Sequence, residues 1–193
     1  MTISVVLADA NILFSRTLRD YFLYIADAGA IEIHWSQQIL EEMSRNLRAR
    51  LGLDHLATER LEGLMNDFIQ YALIEIDPAD VATAEAVEMD AKDRHVLAAA
   101  LSADADILLT ENTKHFPRAW MTEHGIELLG AGDLLVRLAV HFPDELRAAH
   151  ARALRYSPKS EADILATLKR CAGTSSVDAI RRVTTVGSDG EQV

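Results

Sequence analysis

Apolar residues along the chain follow two alternating patterns: short apolar runs and longer stretches with helical spacing. The short runs predict five strands, at residues 3–8, 30–35, 72–76, 107–110 and 126–129. Between them, apolar residues recur every three or four positions, which predicts helices at 13–26, 36–51, 58–71, 90–103 and 132–141. This alternation is typical of an α/β fold with a mainly parallel sheet of about five strands.

The pattern changes after Pro143, where helical spacing continues without further strands. Its last helix is predicted to begin with an N-cap at Ser157, to carry acids early and to stop at Gly173. The predicted domains are residues 1–142, which hold the sheet, and a helical extension at 143–183. Residues 184–193 are predicted to be a disordered tail.

The composition is that of an ordinary globular protein, since 49% of the 193 residues are hydrophobic and 25% are charged. No apolar run approaches the roughly 20 residues that span a membrane. The N-terminal stretch has no basic region typical of a signal peptide, so we expect a cytoplasmic location. Cys171 is the one cysteine, which excludes an internal disulfide and a cysteine-based metal cluster.

The charge balance is acidic, with 30 acidic against 19 basic residues and a formal net charge of −11. Proteins that coat nucleic acid are usually basic, so this balance argues against nonspecific wrapping of DNA or RNA. It is compatible with an enzyme that gathers acids around a metal ion and contacts nucleic acid through a few arginines. It also leaves room for a basic partner protein.

Four groups of oxygen-bearing side chains follow predicted strands or lie in predicted helices. They are Asp9 with Asn11, Glu41 with Glu42, Asp90 with Asp93, and Glu111 with Asn112. Each group has an ordinary structural interpretation: a helix cap for the first, solvated glutamates for the second, a capping box for the third and a loop hydrogen bond for the fourth.

Taken together, these groups favour a metal site. Strand ends and helix starts of one parallel sheet converge at one edge, so the acids would meet there. Like charges crowded in one place repel each other, and a hard divalent ion such as Mg²⁺ or Mn²⁺ removes that repulsion. Such an ion can activate water and stabilise charge on a phosphodiester. The first strand would then hold Asp9 rigidly as a metal ligand.

Three stretches, VLADANILFS, ILEEM and DAKDRHVLAAALSADADILLTENTKHFP, resemble the PIN-domain family of metal-dependent ribonucleases. The resemblance covers roughly residues 3–130. It implies a PIN-like α/β/α sandwich in residues 1–142 and hydrolytic cleavage of RNA by a metal-activated water. Small bacterial members are often VapC-like toxins of type II toxin–antitoxin pairs, which implies a cognate antitoxin protein as partner. A homodimer is a further expectation from the family.

The resemblance also assigns site residues. The first three acids of the family fall on Asp9, Glu42 and Asp93, as catalytic residues and ligands of Mg²⁺ or Mn²⁺. The fourth falls on Asn112, where many relatives carry aspartate; an amide oxygen can ligate a cation but brings no charge. Some relatives with asparagine there have an acid three residues later, where this chain has His115.

Further residues are assigned around these four. For the second acid, helical periodicity alone barely decides between Glu41 and Glu42. Supporting roles near the acids are predicted for Asn11, Asp90 and Thr110. Contacts to RNA phosphates are predicted for Arg45, Arg48 and Lys114, with an ordinary solvated charge as the competing interpretation. The two tryptophans, Trp35 and Trp120, are interpreted as core or interface residues rather than platforms for base stacking.

Two other functions compete with a nuclease. A PIN domain weakened in catalysis and acting as an RNA- or protein-binding module is kept open by Asn112. A haloacid-dehalogenase-like phosphatase also places an acid after its first strand, where Asp9 stands. That chemistry needs a second aspartate at the position of Asn11, which disfavours it.

Overall fold

The five predicted strands are all present in the structure, a computed structural model that describes residues 3–185. They form one all-parallel sheet in the order β3-β2-β1-β4-β5. The strands are β1 Ser4–Ala8, β2 Ile31–Ser36, β3 Leu73–Ile74, β4 Ile107–Leu109 and β5 Glu127–Leu129. The predicted fold class, a parallel sheet flanked by helices with further helices at the C-terminus, is confirmed.

Helices occupy the connections and the region after the last strand. Those up to β5 are α1 Ala10–Phe14, α2 Arg16–Asp27, α3 Gln37–Leu51, α4 His55–Phe68, α5 Pro78–Glu85, α6 Arg94–Ser102 and α7 Arg118–Glu123. Those after β5 are α8 Ala131–His141, α9 Pro143–Tyr156 and α10 Glu161–Thr185. Short 3₁₀ turns, Ala91–Asp93 and Thr113–His115, precede α6 and α7.

Helix α3 forms as its sequence predicts. The Ser36 hydroxyl accepts a hydrogen bond from the backbone N–H of Ile39 (3.3 Å) and caps the first turn. The helix ends at Gly52, whose φ of 68° is the left-handed conformation that glycine adopts easily. Its buried face includes Ile39 and Met43, so the neighbouring Glu42 is carried at the rim of that face.

Several predicted boundaries are wrong. The helix predicted at 13–26 is two helices, because Ser15 leaves the helical conformation and caps α2 through Leu18 N–H (3.5 Å). Helix α10 begins after Ser160, which accepts from Asp163 N–H (3.2 Å), and not after Ser157. The chain does break at Gly173, with φ 80°, but helix resumes beyond it.

Helices α5 and α7 were not predicted. They have eight and six residues, too few for an apolar repeat to stand out. The start of α5 nevertheless carried a local signal, since Pro78 occupies the first turn and the Asp77 carboxylate accepts from Ala79 N–H (2.8 Å).

The contacts divide the described chain into two compact units. The sheet unit comprises residues 3–14 with Ile31–Leu129 and holds all five strands. The helical unit comprises Ser15–Ala30 with residues 130–185. The prediction that residues 1–142 and 143–183 are separate domains stays a prediction. The predicted disordered tail begins too early, because Thr184 and Thr185 belong to α10. The rest of that tail, residues 186–193, lies outside the described residues.

The helical unit contains α2, α8, α9 and α10. A Cβ on Gly132 would lie 2.2 Å from the carbonyl oxygen of Ala172, so only glycine permits this approach of α8 to α10. Elsewhere in this unit, the Tyr21 hydroxyl donates to His150 Nδ1 (2.5 Å), and His150 Nε2 lies 3.2 Å from Glu161. Within residues 3–185, none of the helices has the length and apolar character needed to span a membrane.

Candidate functional site

Sheet register brings the ends of two strands together. Ala8 of β1 pairs with Leu109 of β4, so the next residues, Asp9 and Thr110, lie side by side at the carboxyl edge. The Asp9 N–H continues the ladder by donating to the Leu109 carbonyl (3.0 Å). The connection after β1 leads to β2 on one side, and the connection after β4 leads to β5 on the other, so the strand order switches between β1 and β4. Crevices form at such switch points in parallel sheets, and this edge is where a site is expected.

The Asp9 carboxylate is fixed at the bottom of this edge, with only 5% of the residue exposed. Its Oδ1 accepts from the Ala10 N–H (2.6 Å). Its Oδ2 accepts from the Thr110 hydroxyl (2.6 Å) and from the Asn11 amide (2.5 Å). The carboxylate is therefore held in one orientation by a buried strand end and the first turn of α1.

Asn11 and Thr110 also fasten the loop after β4. The Asn11 amide donates to Thr110 Oγ1 (2.9 Å), and its carbonyl oxygen accepts from the Glu111 N–H (3.0 Å). The Thr110 oxygen accepts in addition from the Asn112 N–H (3.0 Å). This network sets the position of the exposed Asn112 beside the buried carboxylate.

The other two proposed acids act on Asp9 through space. Burial is the largest cause that raises the pKa of Asp9 above its usual value, and the charges of Glu42 and Asp93 raise it further. Hydrogen bonds from Thr110 and the Ala10 N–H lower it in part. The charges of two other segments thus act on this buried carboxylate. That the three acids share one metal ion stays a prediction.

The pKa of the exposed Lys92 is raised by the same group of acids. Its pKa is raised first by the hydrogen bond to Asp90 and the charge of that residue, and then by the charges of Asp93 and Glu42. The ammonium of Lys92 contacts Asp90 at 3.2 Å at the surface. A single exposed lysine therefore responds to acids from both the α3 and the α6 regions.

Two histidines contact the proposed ligands, and the sequence analysis gave neither of them a role. His95 Nε2 lies 3.3 Å from Glu42 Oε2, and His115 Nδ1 lies 3.0 Å from Asp93 Oδ2. The neighbouring Glu41 is exposed, so Glu42 is the glutamate of α3 that faces the site. The only sequence signal for such a contact was the position of His95, two residues after Asp93.

The structure separates the two aspartates that resemble a capping box. Asp90 is the N-cap of the 3₁₀ turn and accepts from the Lys92 N–H (3.2 Å). That hydrogen bond is the first cause that lowers the pKa of Asp90, followed by the Lys92 side chain. Asp93 makes no side-chain cap bond and is directed to His115 instead. The capping interpretation therefore applies to Asp90.

The predicted RNA contacts have different surroundings. Arg45 and Lys114 are exposed. Arg48 donates to the Thr58 hydroxyl (2.9 Å) and ties α3 to α4. Of the tryptophans, Trp35 is fully buried with its indole N–H on Asn66 (2.9 Å). The other, in α7, is half-buried and stacks on a histidine.

The proposed ion would need several donor side chains at one position. Among residues 3–185, no three His, Cys, Asp or Glu side chains lie close enough together, as they stand, to hold a metal ion. Glu42 and Asp93 instead direct oxygens to imidazoles. The types of donor nevertheless fit a hard divalent cation, because the proposed ligands are carboxylate and amide oxygens.

Comparison with known proteins adds the family. A family model described as PIN domain matches residues 5–114, more than half of the 193-residue chain. The match includes Asp9, Glu42, Asp93 and Asn112. No curated protein and no solved structure gives a significant match. On the extent of the family match, the chain belongs to the PIN-domain family.

Proposed function

We propose that this chain is an endoribonuclease dependent on Mg²⁺ or Mn²⁺ and the toxin of a type II toxin–antitoxin pair. PIN domains are generally nucleases and often toxins, and they typically use divalent metals. The observation that carries the proposal is the buried carboxylate of Asp9, on which the charges of Glu42 and Asp93 act unfavourably. A cation makes that arrangement tolerable.

Each residue then has a role. Asp9, Glu42 and Asp93 would hold the ion, and Asn112 would add a neutral oxygen. When bound, the ion activates a water and stabilises charge that develops on the phosphodiester. Asn11 and Thr110 keep Asp9 in place through the hydrogen bonds described above. The exposed Arg45 and Lys114 would position RNA phosphates, while Arg48 mainly supports α3.

The direct test is cleavage of total RNA by the purified chain. We expect cleavage with Mn²⁺ or Mg²⁺ and none with excess EDTA. Absence of metal-dependent cleavage would reject the nuclease and favour the binding module. The toxin role needs its own test: induced expression should arrest growth, and the neighbouring reading frame should relieve it if it encodes the antitoxin.

The two glutamates of α3 offer a matched pair. Glu42→Gln is expected to reduce cleavage by at least about a hundredfold, because it removes one charge from the proposed ion site. Glu41→Gln should stay within about twofold of the wild type, since Glu41 is exposed. Rates under saturating Mn²⁺ check both. Equal losses in the two variants would contradict the assignment of Glu42.

The second candidate, a weakened binding module, is favoured by the neutral Asn112. We expect Asn112→Asp to lower the Mn²⁺ concentration for half-maximal cleavage by about tenfold, because an added carboxylate strengthens attraction to a nearby cation. Asn112→Ala is the control for loss of the amide alone. An Asn112→Asp variant with unchanged Mn²⁺ dependence would place residue 112 outside the metal site.

The phosphatase alternative gains no support from the site. Its second aspartate would stand where Asn11 is found. The Asn11 side chain is engaged by Asp9, Thr110 and the Glu111 N–H, as part of the support of the first carboxylate. An amide in this network offers no titratable proton for acid–base catalysis.

A further inference from the structure

Helix α7 carries a stacked aromatic pair, Trp120 with His124. The ring centroids are 3.6 Å apart and the planes differ by 18°. Trp120 is half-buried and His124 is exposed. His124 Nδ1 donates to the Trp120 carbonyl (2.8 Å), which fixes both the tautomer and the ring orientation. One face of the imidazole covers the indole, and the exposed ring offers a flat aromatic surface.

The base of this pair is rigid. Between its two rings in the sequence lies Met121, which is 1% exposed. The Ile126 N–H donates to the Met121 carbonyl (2.9 Å), and Gly125, with φ 74°, turns the chain into β5. A surface fixed in advance loses little conformational entropy when a ligand stacks on it.

The same segment leads directly from the proposed active site. His115, which contacts Asp93 at 3.0 Å, precedes Trp120 by five residues, a span of at most about 18 Å of extended chain. The cations Lys114 and Arg118 are exposed on this segment. A strand of RNA held at Asp93 can therefore reach the aromatic pair within a few nucleotides.

Because Trp120 is only half-buried and stacked on an exposed ring, we revise its interpretation as a core or interface residue. We propose that the Trp120–His124 pair stacks on an unpaired base of the RNA substrate, with Lys114 and Arg118 on adjacent phosphates. Bases in a duplex are already stacked, so this platform selects single-stranded RNA or loops. With a net charge of −11, the chain as a whole repels phosphate, and stacking supplies affinity that the overall charge does not. The inference rests on the proposed nuclease function.

The first test is binding of a short fluorescent oligo(A) in EDTA, followed by anisotropy. His124→Ala, a surface change, and Trp120→Ala should each weaken binding about tenfold, whereas Trp120→Phe keeps a ring and stays within about threefold. The control is Tyr156→Ala, which removes an exposed ring of the helical unit and should change nothing. Inorganic polyphosphate should bind all variants equally, because it has no bases.

The second test is the intrinsic fluorescence of the two tryptophans. Oligo(A) should quench part of the emission of the wild type, and this part should disappear in Trp120→Phe because Trp35 is buried. Wild-type affinity in His124→Ala and Trp120→Ala, or no quenching, would overturn the platform and leave the pair as a support of α7. If the chain cleaves RNA but neither variant changes binding, only the stacking proposal is rejected. If both variants weaken binding but the wild type does not cleave RNA, only the nuclease proposal is rejected.

Discussion

Replacement of Asp9 by asparagine is expected to abolish RNA cleavage, and Asp93→Asn is expected to do the same. Each change removes a charge from the proposed ion site, where the cation contributes several kcal/mol to transition-state stabilisation. A loss of that size corresponds to about a thousandfold or more in rate. Single-turnover cleavage of a defined RNA with saturating Mn²⁺ measures it.

The two variants control for each other. In Asp9→Asn, one amide cannot accept from the Ala10 N–H on one side and from Asn11 and Thr110 on the other, so at least one hydrogen bond is lost. Some loss of stability is expected there. Asp93 lies nearer the surface and retains an oxygen for His115 as asparagine. Circular dichroism should show both variants folded; full activity in either one would remove the site assignment.

Divalent metal is expected to stabilise the wild-type fold. An ion that binds only the folded chain, at a hundred times its Kd, adds about 2.7 kcal/mol to the free energy of unfolding. For a chain of this size, Tm should rise by about 5–10 °C. Asp9→Asn should show no such rise, while Glu41→Gln should behave as the wild type. Thermal melts with Mn²⁺ and with EDTA compare the three proteins.

The ionisation of Asp9 should make both the stability of the metal-free fold and the rise of Tm with Mn²⁺ depend on pH. Burial and the charges of Glu42 and Asp93 raise the pKa of Asp9 above 3.8. Between 3.8 and the raised pKa, the metal-free fold holds a proton that the unfolded chain has released. The contribution of Asp9 to stability without metal therefore falls as pH rises through that window.

Mn²⁺ needs the ionised carboxylate, so its effect on Tm should grow over the same window and be lost as pH falls. Melts at neutral pH and near pH ~4 test this. An identical Mn²⁺ shift in the wild type and in Asp9→Asn, or one independent of pH, would contradict binding at Asp9.

Much of the fold follows from local pattern. The run from Ser4 to Ala8 is mainly apolar on both faces, as a central parallel strand requires. Ser36 is a typical N-cap residue and marks the start of α3. Once β1 and β4 are accepted as neighbours, Asp9 and Thr110 must meet at one edge. This part of the site could be predicted because strand direction and sequence position together determine it.

Other parts of the site depend on tertiary contacts that no local pattern contains. Periodicity barely separated Glu41 from Glu42, and only the packing of α3 decides which one faces Asp9. The pairing of His115 with Asp93 joins segments 22 residues apart. Helix α7 is shorter than two turns and carries little apolar periodicity.

The central claim is that Asp9, Glu42 and Asp93 form one site for a divalent cation. A crystal structure of the chain grown with Mn²⁺ tests it most directly, through the anomalous scattering of manganese. We predict an anomalous peak for an ion bound by Asp9 and Asp93, with the Glu42 side chain turned away from His95 and toward the ion. Crystals that contain Mn²⁺ elsewhere but show no peak at Asp9, with both histidine contacts intact, would contradict the claim.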